Sequence, residues 1–227
     1  MAEPKVSVPW RAQEGPQLNA IRKHWVEELF FGGAVGGGKS DFLLGDFGQD
    51  VPRYGQHWQG IVFRKSYPQL EELINRAAQI YPQWFGIRWK DAWMVGTKTF
   101  HWPNGATLKF RHLEDDDAWR EYQGHAYGWI GFDELPQWHT PTAYMELKTR
   151  LRNGAIAIPN KRIRGTGNPG GVGHGWIKKH FGIDRHPHGS VVLMPEIQDG
   201  MKRIFIRSKD RNENPAMHHD RTSDNRV

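Results

Sequence analysis

The chain has 227 residues, no cysteine and a formal net charge of +6. That length suits one well-buried α/β domain and falls short of two comfortable ones. The absence of cysteine excludes disulfides and thiolate metal sites. No stretch reaches the run of about 18 apolar residues that a membrane span needs, and residues 1–11 lack the apolar core of a secretory signal. A 37% hydrophobic fraction with 11 tryptophans argues against disorder, while 26 glycines and 14 prolines require many short elements joined by tight turns.

In chain order, Glu27 to Phe31 reads as a buried strand entering the glycine loop at Gly32-Gly33. Lys39 to Gly48 follows as a helix, Ile61 to Phe63 as a second strand, and Gln69 to Ile80 as a helix with Leu70, Leu73, Ile74 and Ala77 on one face. Trp93–Trp102 and Ala106–Leu113 flank the turn Pro103-Asn104-Gly105 and predict an inserted β-hairpin. A strand at Trp129–Phe132, a helix near Thr142–Leu151, a strand at Arg162–Gly167, a helix near Gly175–Phe181 and strands near Val191–Leu193 and Ile204–Ile206 complete the pattern. The alternation predicts a mainly parallel sheet flanked by helices. Asp210 to Val227 reads as a polar tail or linker.

The charge is unevenly spread. From Lys148 to Arg211 there are 14 Lys/Arg against 4 Asp/Glu, a local +10 that leaves −4 elsewhere. Such a field favours a polyanion, nucleic acid first.

Three motifs carry the chemistry. Gly33-Ala34-Val35-Gly36-Gly37-Gly38-Lys39-Ser40 fits G-x-x-x-x-G-K-[ST] between a predicted strand and helix. Its glycines let backbone N–H groups curl around phosphate oxygens, Lys39 neutralises the terminal phosphates of ATP, and Ser40 ligates Mg²⁺. Asp133 and Glu134 end the apolar strand Trp129–Phe132. The first suits the metal and the second can activate the attacking water. Adjacent acids of this kind favour a hydrolase over a kinase, whose nucleophile is a substrate hydroxyl. Thr166 and Asn168, in the Gly165-Thr166-Gly167-Asn168-Pro169-Gly170 segment that ends the third of these strands, are placed to sense the γ-phosphate.

Together the glycine loop, the IGFDEL strand end and TGNPGG resemble the ATPase half of phage terminase large subunits. Gly15-Pro16-Gln17, IVFRKSYPQL and YQG at Tyr122–Gly124 add to the likeness, which spans about Pro16 to Phe181. The resemblance implies an additional-strand, catalytic-glutamate P-loop fold over residues 1–209, with 210–227 leading toward a nuclease domain that this chain lacks. It also implies an ATP-driven, Mg²⁺-dependent motor that moves double-stranded DNA into a procapsid. Its partners would be a portal protein, a small terminase subunit and its own copies in a ring, without a membrane, in the cytoplasm of an infected bacterial host. By the same likeness Gln17 would contact adenine. The family often carries an arginine inside the phosphate loop, and this chain does not. A cation must then come from elsewhere, with Arg120 the first candidate, acting from a neighbouring subunit, and Arg64 the second. Two other readings remain open: a different nucleic-acid-dependent P-loop ATPase such as a helicase-like translocase, and a non-catalytic nucleotide-binding module.

Weaker signals point to packing and solvation. Glu114 to Asp117 reads as a solvated loop, the histidines lack zinc-site spacing, and Trp84, Trp89, Trp93 and Trp102 suit core and hairpin packing.

Overall fold

Parallel strands buried on both faces need apolar side chains pointing each way, and the strands here supply them. In the computed structural model, which describes residues 10–33, 36–115, 117–152, 158–194, 197 and 199–208, the elements run α1 (Pro16–Arg22), β1 (Glu28–Gly32), α2 (Lys39–Gly48), α3 (Val51–Tyr54), β2 (Gln59–Arg64), α4 (Tyr67–Phe85) and α5 (Trp89–Ala92). They continue with β3 (Trp93–Met94), β4 (Thr99–His101), β5 (Thr107–His112), β6 (Trp129–Phe132), α6 (Thr142–Lys148), β7 (Arg162–Gly167), α7 (His174–Phe181), β8 (Val191–Leu193) and β9 (Lys202–Arg207). The strands form one sheet in the order β3-β4-β5-β2-β6-β7-β1-β9-β8. From β5 to β9 the neighbours pair in parallel. β3, β4 and β8 are antiparallel to their neighbours.

Alternation along each strand divides the core in two. Leu29, Phe31, Val62, Trp129 and Ile204 face a cluster under α2 and α4, while Phe30, Ile61, Phe63, Ile130 and Phe132 face one built with α6 and α7. α2 lies close to its neighbours because it uses glycine at contact points. A Cβ on Gly45 would meet the Trp10 ring at 2.0 Å, and one on Gly48 the Trp84 ring at 2.4 Å. The tryptophans pack as expected: Trp89 stacks on Trp93 with ring centroids 4.9 Å apart, and Trp102 meets Phe100 edge-on at 4.5 Å.

Two expectations change. The segment Trp93–Trp102 is two short strands, β3 and β4, separated by a turn in which Lys98 adopts φ 41°. The Asn104-Gly105 turn forms and β4 and β5 make the expected antiparallel hairpin, whose second strand pairs in parallel with β2 and so joins the main sheet. The second change concerns charge. Arg162, Arg164, Arg203 and Lys148, counted as part of a basic field, are buried. Arg162 donates to Asp46 and Asp50 at 2.7 Å each, and Arg164 Nε lies 3.2 Å from Asp46. Arg203 and Lys148 reach Glu28 at 2.8 and 3.1 Å. Burial would raise the Glu28 carboxyl, but the hydrogen bond with His180 and the charges of His180, Lys148 and Arg203 hold it at about 2. Four of the 14 cations are therefore internal and paired with Glu28, Asp46 and Asp50 from a distant part of the chain.

Asp46 is the hub of the first network, accepting also from Trp129 Nε1 at 2.8 Å. Removing one partner of a buried ion pair strands the other, so Asp46→Ala should lower the unfolding free energy by about 3–5 kcal/mol. A urea midpoint that falls at constant slope is the expected reading. A loss below about 1 kcal/mol, the range of exposed pairs, would contradict a dry network.

Candidate active site

Because β1, β7, β6 and β2 run in parallel, their carboxyl ends emerge along one edge of the sheet, where open α/β folds place ligands. Registers bring Gly32 beside Gly167, Phe132 beside Gly165 and Phe63 beside Phe132. The residues that follow each strand therefore converge. β7 sits between the strand leading to the glycine loop and the strand leading to Asp133, so Thr166 and Asn168 stand between the two motifs.

The loop itself depends on glycine geometry at two points. Gly33 has φ 148°, and an added Cβ would lie 2.3 Å from Ser208 Oγ. Gly38, left-handed at φ 67°, starts α2, and its Cβ would lie 2.5 Å from Gln17 Nε2. Gly36 is also left-handed, at φ 86°, and Gly37 lies between the two. Ala34 and Val35 lie outside the described residues, as does the tail from 209 onward. Gln17 is buried, donates from Nε2 to the Gly38 carbonyl at 2.7 Å, and accepts from Gln13 N at 2.6 Å. Its amide thus braces the end of the glycine loop.

Lys39 is the first residue of α2 and is only 7% exposed. Its Nζ lies 3.4 Å from the Gly33 carbonyl. Burial lowers the amine's pKa, and the charges of Glu134 and Asp133 oppose that shift. Ser40 Oγ donates to Asp133 Oδ2 at 3.0 Å, and Thr166 Oγ1 donates to Asp133 Oδ1 at 2.5 Å. The Ser40 hydroxyl and the fully buried Asp133 carboxylate are hard oxygen donors side by side, a set that fits Mg²⁺.

Glu134 turns out of the strand in a left-handed conformation, φ 58°, which a non-glycine residue adopts only when its surroundings hold it there. Its N–H reaches Thr166 Oγ1 at 3.2 Å, and its Oε2 accepts from the Asn168 N–H at 3.3 Å. Burial and the neighbouring Asp133 raise its pKa, against the lowering effect of Lys39, Arg64 and the Asn168 N–H. A carboxylate of this kind is closer than usual to the proton affinity a general base needs. Asn168 Oδ1 is buried and has no hydrogen-bond partner among the described residues, so the site holds an acceptor with capacity to spare.

Gly36, Gly38, Lys39, Ser40, Glu134 and Asn168 line a cleft of about 420 Å³ that also takes in Asp41, Arg64, Glu72 and Arg76, with Asp133 and Thr166 buried behind it. Sequence reasoning missed Arg76. It sits on α4 and donates to both Asp41 carboxylate oxygens at 2.6 Å, and no local spacing announces a pair formed between two helices. Arg120 is elsewhere: its side chain is 65% exposed, pairs with Asp117 at 3.3 Å, and is not among the residues lining this cleft. Of the acidic run, Glu114, Asp115 and Asp117 are exposed. Among the described residues no group of three or more His, Asp or Glu is arranged to hold a metal, and no helix is long and apolar enough to cross a membrane.

Solved structures with the same fold include the large terminase of bacteriophage HK97 at TM-score 0.56 and 16% identity, covering 83% of this chain and 42% of that one. The large terminase of a thermophilic bacteriophage, in complex with ADP, matches at TM-score 0.59 and 15% identity, covering 86% and 45%. The ATPase domain of the Thermus phage P74-26 large terminase matches at 0.53 and 16%, covering 86% and 79%. The chain thus spans less than half of the first two proteins. No curated protein sequence matches it. The family model for the N-terminal part of the T4-like type of terminase large subunit matches residues 30–155, more than half of the chain and a stretch that contains the glycine loop, Asp133 and Glu134, and the chain belongs to that family.

Proposed function

We propose that this chain is the ATP-hydrolysing motor domain of a terminase large subunit and drives double-stranded DNA into a procapsid. The observation that carries the reading is the hydrogen-bonded line Ser40–Asp133–Thr166, with Glu134 beside it and Lys39 within electrostatic reach of both acids. When bound, Mg²⁺ supplies charge neutralisation at the phosphates. The backbone of Gly33 to Gly38, Lys39 and Ser40 bind the ATP phosphates, and Ser40 and Asp133 hold the metal. Glu134 takes a proton from the attacking water, and Asn168, whose N–H holds Glu134, has a spare carbonyl oxygen to orient that water. Thr166 fixes Asp133 and the Glu134 backbone at once, so it links the metal ligand to the base. Gln17 is assigned to adenine by the family likeness alone; its buried amide holds the Gly38 carbonyl at the end of the glycine loop.

On this reading residues 1–209 form the ATPase domain and 210–227 a linker. The portal protein, the small terminase subunit and further copies in a ring are the partners, in the cytoplasm of a bacterial host. The experiment is ATP turnover of the chain with and without DNA and portal. Stimulation by portal supports the packaging motor, while stimulation by DNA alone favours a helicase-like translocase.

Arg120, exposed and outside its own cleft, is assigned to a neighbour's site. Arg120→Ala and Glu134→Gln should each be nearly inactive alone and regain activity when mixed. Co-assembled mixtures that stay inactive, or an active Arg120→Ala, would remove the assignment.

A further inference from the structure

The phosphate loop contributes no cation besides Lys39, yet a second buried cation already stands in the cleft. Arg64 is the last residue of β2, next to the strand that delivers Asp133 and Glu134. Its side chain is 10% exposed and its Nη2 lies 2.7 Å from Asp133 Oδ2. That oxygen also accepts from Ser40, while Oδ1 is held by Thr166. The guanidinium therefore rests on the carboxylate oxygen that Ser40 also uses.

An ion pair that only tied β2 to β6 would need no such reach, since Phe63 and Phe132 already pair in register. It would also leave no donor over. Arg64 Nε is buried and has no hydrogen-bond partner among the described residues, and a buried charged donor left unmade is costly. An orphaned N–H on a planar, bidentate cation that lines a phosphate cleft matches the geometry of a phosphoryl group.

We infer that Arg64 is the domain's own sensor of the terminal phosphate. With a diphosphate it rests on Asp133, and with a triphosphate it donates Nε–H and Nη–H to the γ-phosphate. Only Lys65 and Ser66 separate it from α4, whose Glu72, Leu73 and Arg76 also line the cleft. The move therefore reaches α4 directly and converts the state of the nucleotide into a displacement of a helix.

The inference rests on the cleft being a nucleotide site, and its test separates the two. Affinities of the full chain for ADP and for a non-hydrolysable ATP analogue are measured by fluorescence titration in Mg²⁺ buffer, for wild type, Arg64→Gln and Arg64→Lys. A hydrogen bond to a charged group is worth about 1.5–3 kcal/mol, so Arg64→Gln should lose roughly 10–100-fold for the triphosphate alone. ADP affinity should stay unchanged or tighten. Arg64→Lys keeps the charge on Asp133 but not the fork, so it should fall between, and it serves if the glutamine variant does not fold. An unchanged ratio of the two affinities, or an equal loss for both nucleotides, would make Arg64 a structural ion pair and overturn the inference. A wild-type chain that bound neither nucleotide would overturn the nucleotide-site reading itself.

Discussion

Glu134→Gln should bind Mg·ATP and turn it over at least about 100-fold more slowly, the range expected when a positioned general base is removed. The amide is the same shape, and its oxygen can still accept the Asn168 N–H that now holds Oε2 at 3.3 Å. Binding should survive because the phosphate contacts belong to the glycine loop, Lys39 and Ser40. What disappears is the proton acceptor whose pKa burial and Asp133 have raised. The same shift gives the pH dependence of the wild type a sign. A raised carboxyl pKa means the base is protonated at a higher pH than an ordinary glutamate, so the acid limb of turnover should lie above the ordinary glutamate value of 4.5. Initial rates at saturating ATP across the acid range check both points. Turnover near wild type in the glutamine variant would mean that another residue activates the water.

Lys39→Ala should abolish hydrolysis for a different reason. The buried ammonium lies within electrostatic reach of Glu134 and Asp133, so it balances two acids before any phosphate arrives and then balances the phosphates as well. Loss of a preorganised charge at the reacting group costs on the order of 10²–10³ in rate, and a full positive charge more. Nucleotide affinity should fall with it, unlike in Glu134→Gln. The fold should hold, because Lys39 belongs to neither apolar cluster and α2 is anchored by Phe42, Leu43 and Phe47. Circular dichroism and urea unfolding, read beside phosphate release, separate these outcomes. Wild-type turnover in a folded Lys39→Ala would remove the phosphate-loop assignment.

How far the sequence could reach depended on whether a feature is local. The glycine loop, the acid pair and the Thr166–Asn168 turn were legible because each sits at one strand end, and a parallel sheet brings strand ends together without further information. The core strands were legible for the same reason, as short apolar runs bounded by glycine. Contacts between distant elements were not. Arg64 on Asp133 and Arg76 on Asp41 join side chains with no sequence spacing to betray them. Counting charges also misled, because Arg162, Arg164 and Arg203 look like surface cations until their buried partners Asp46 and Glu28 are seen. The break between β3 and β4 falls at a turn over 95–98 that contains Gly96, a signal passed over, and fills its left-handed position with Lys98.

The central claim is that this cleft hydrolyses ATP rather than merely holding it. Its most direct test is phosphate release from Mg·ATP by the unmodified chain in the presence of DNA, with bound nucleotide measured in the same samples and Glu134→Gln run alongside. Both proteins should bind ATP, and only the unmodified chain should release phosphate over many turnovers. A wild-type chain that binds ATP as tightly as the variant and stays equally inert would contradict the claim and make the domain a nucleotide-binding module.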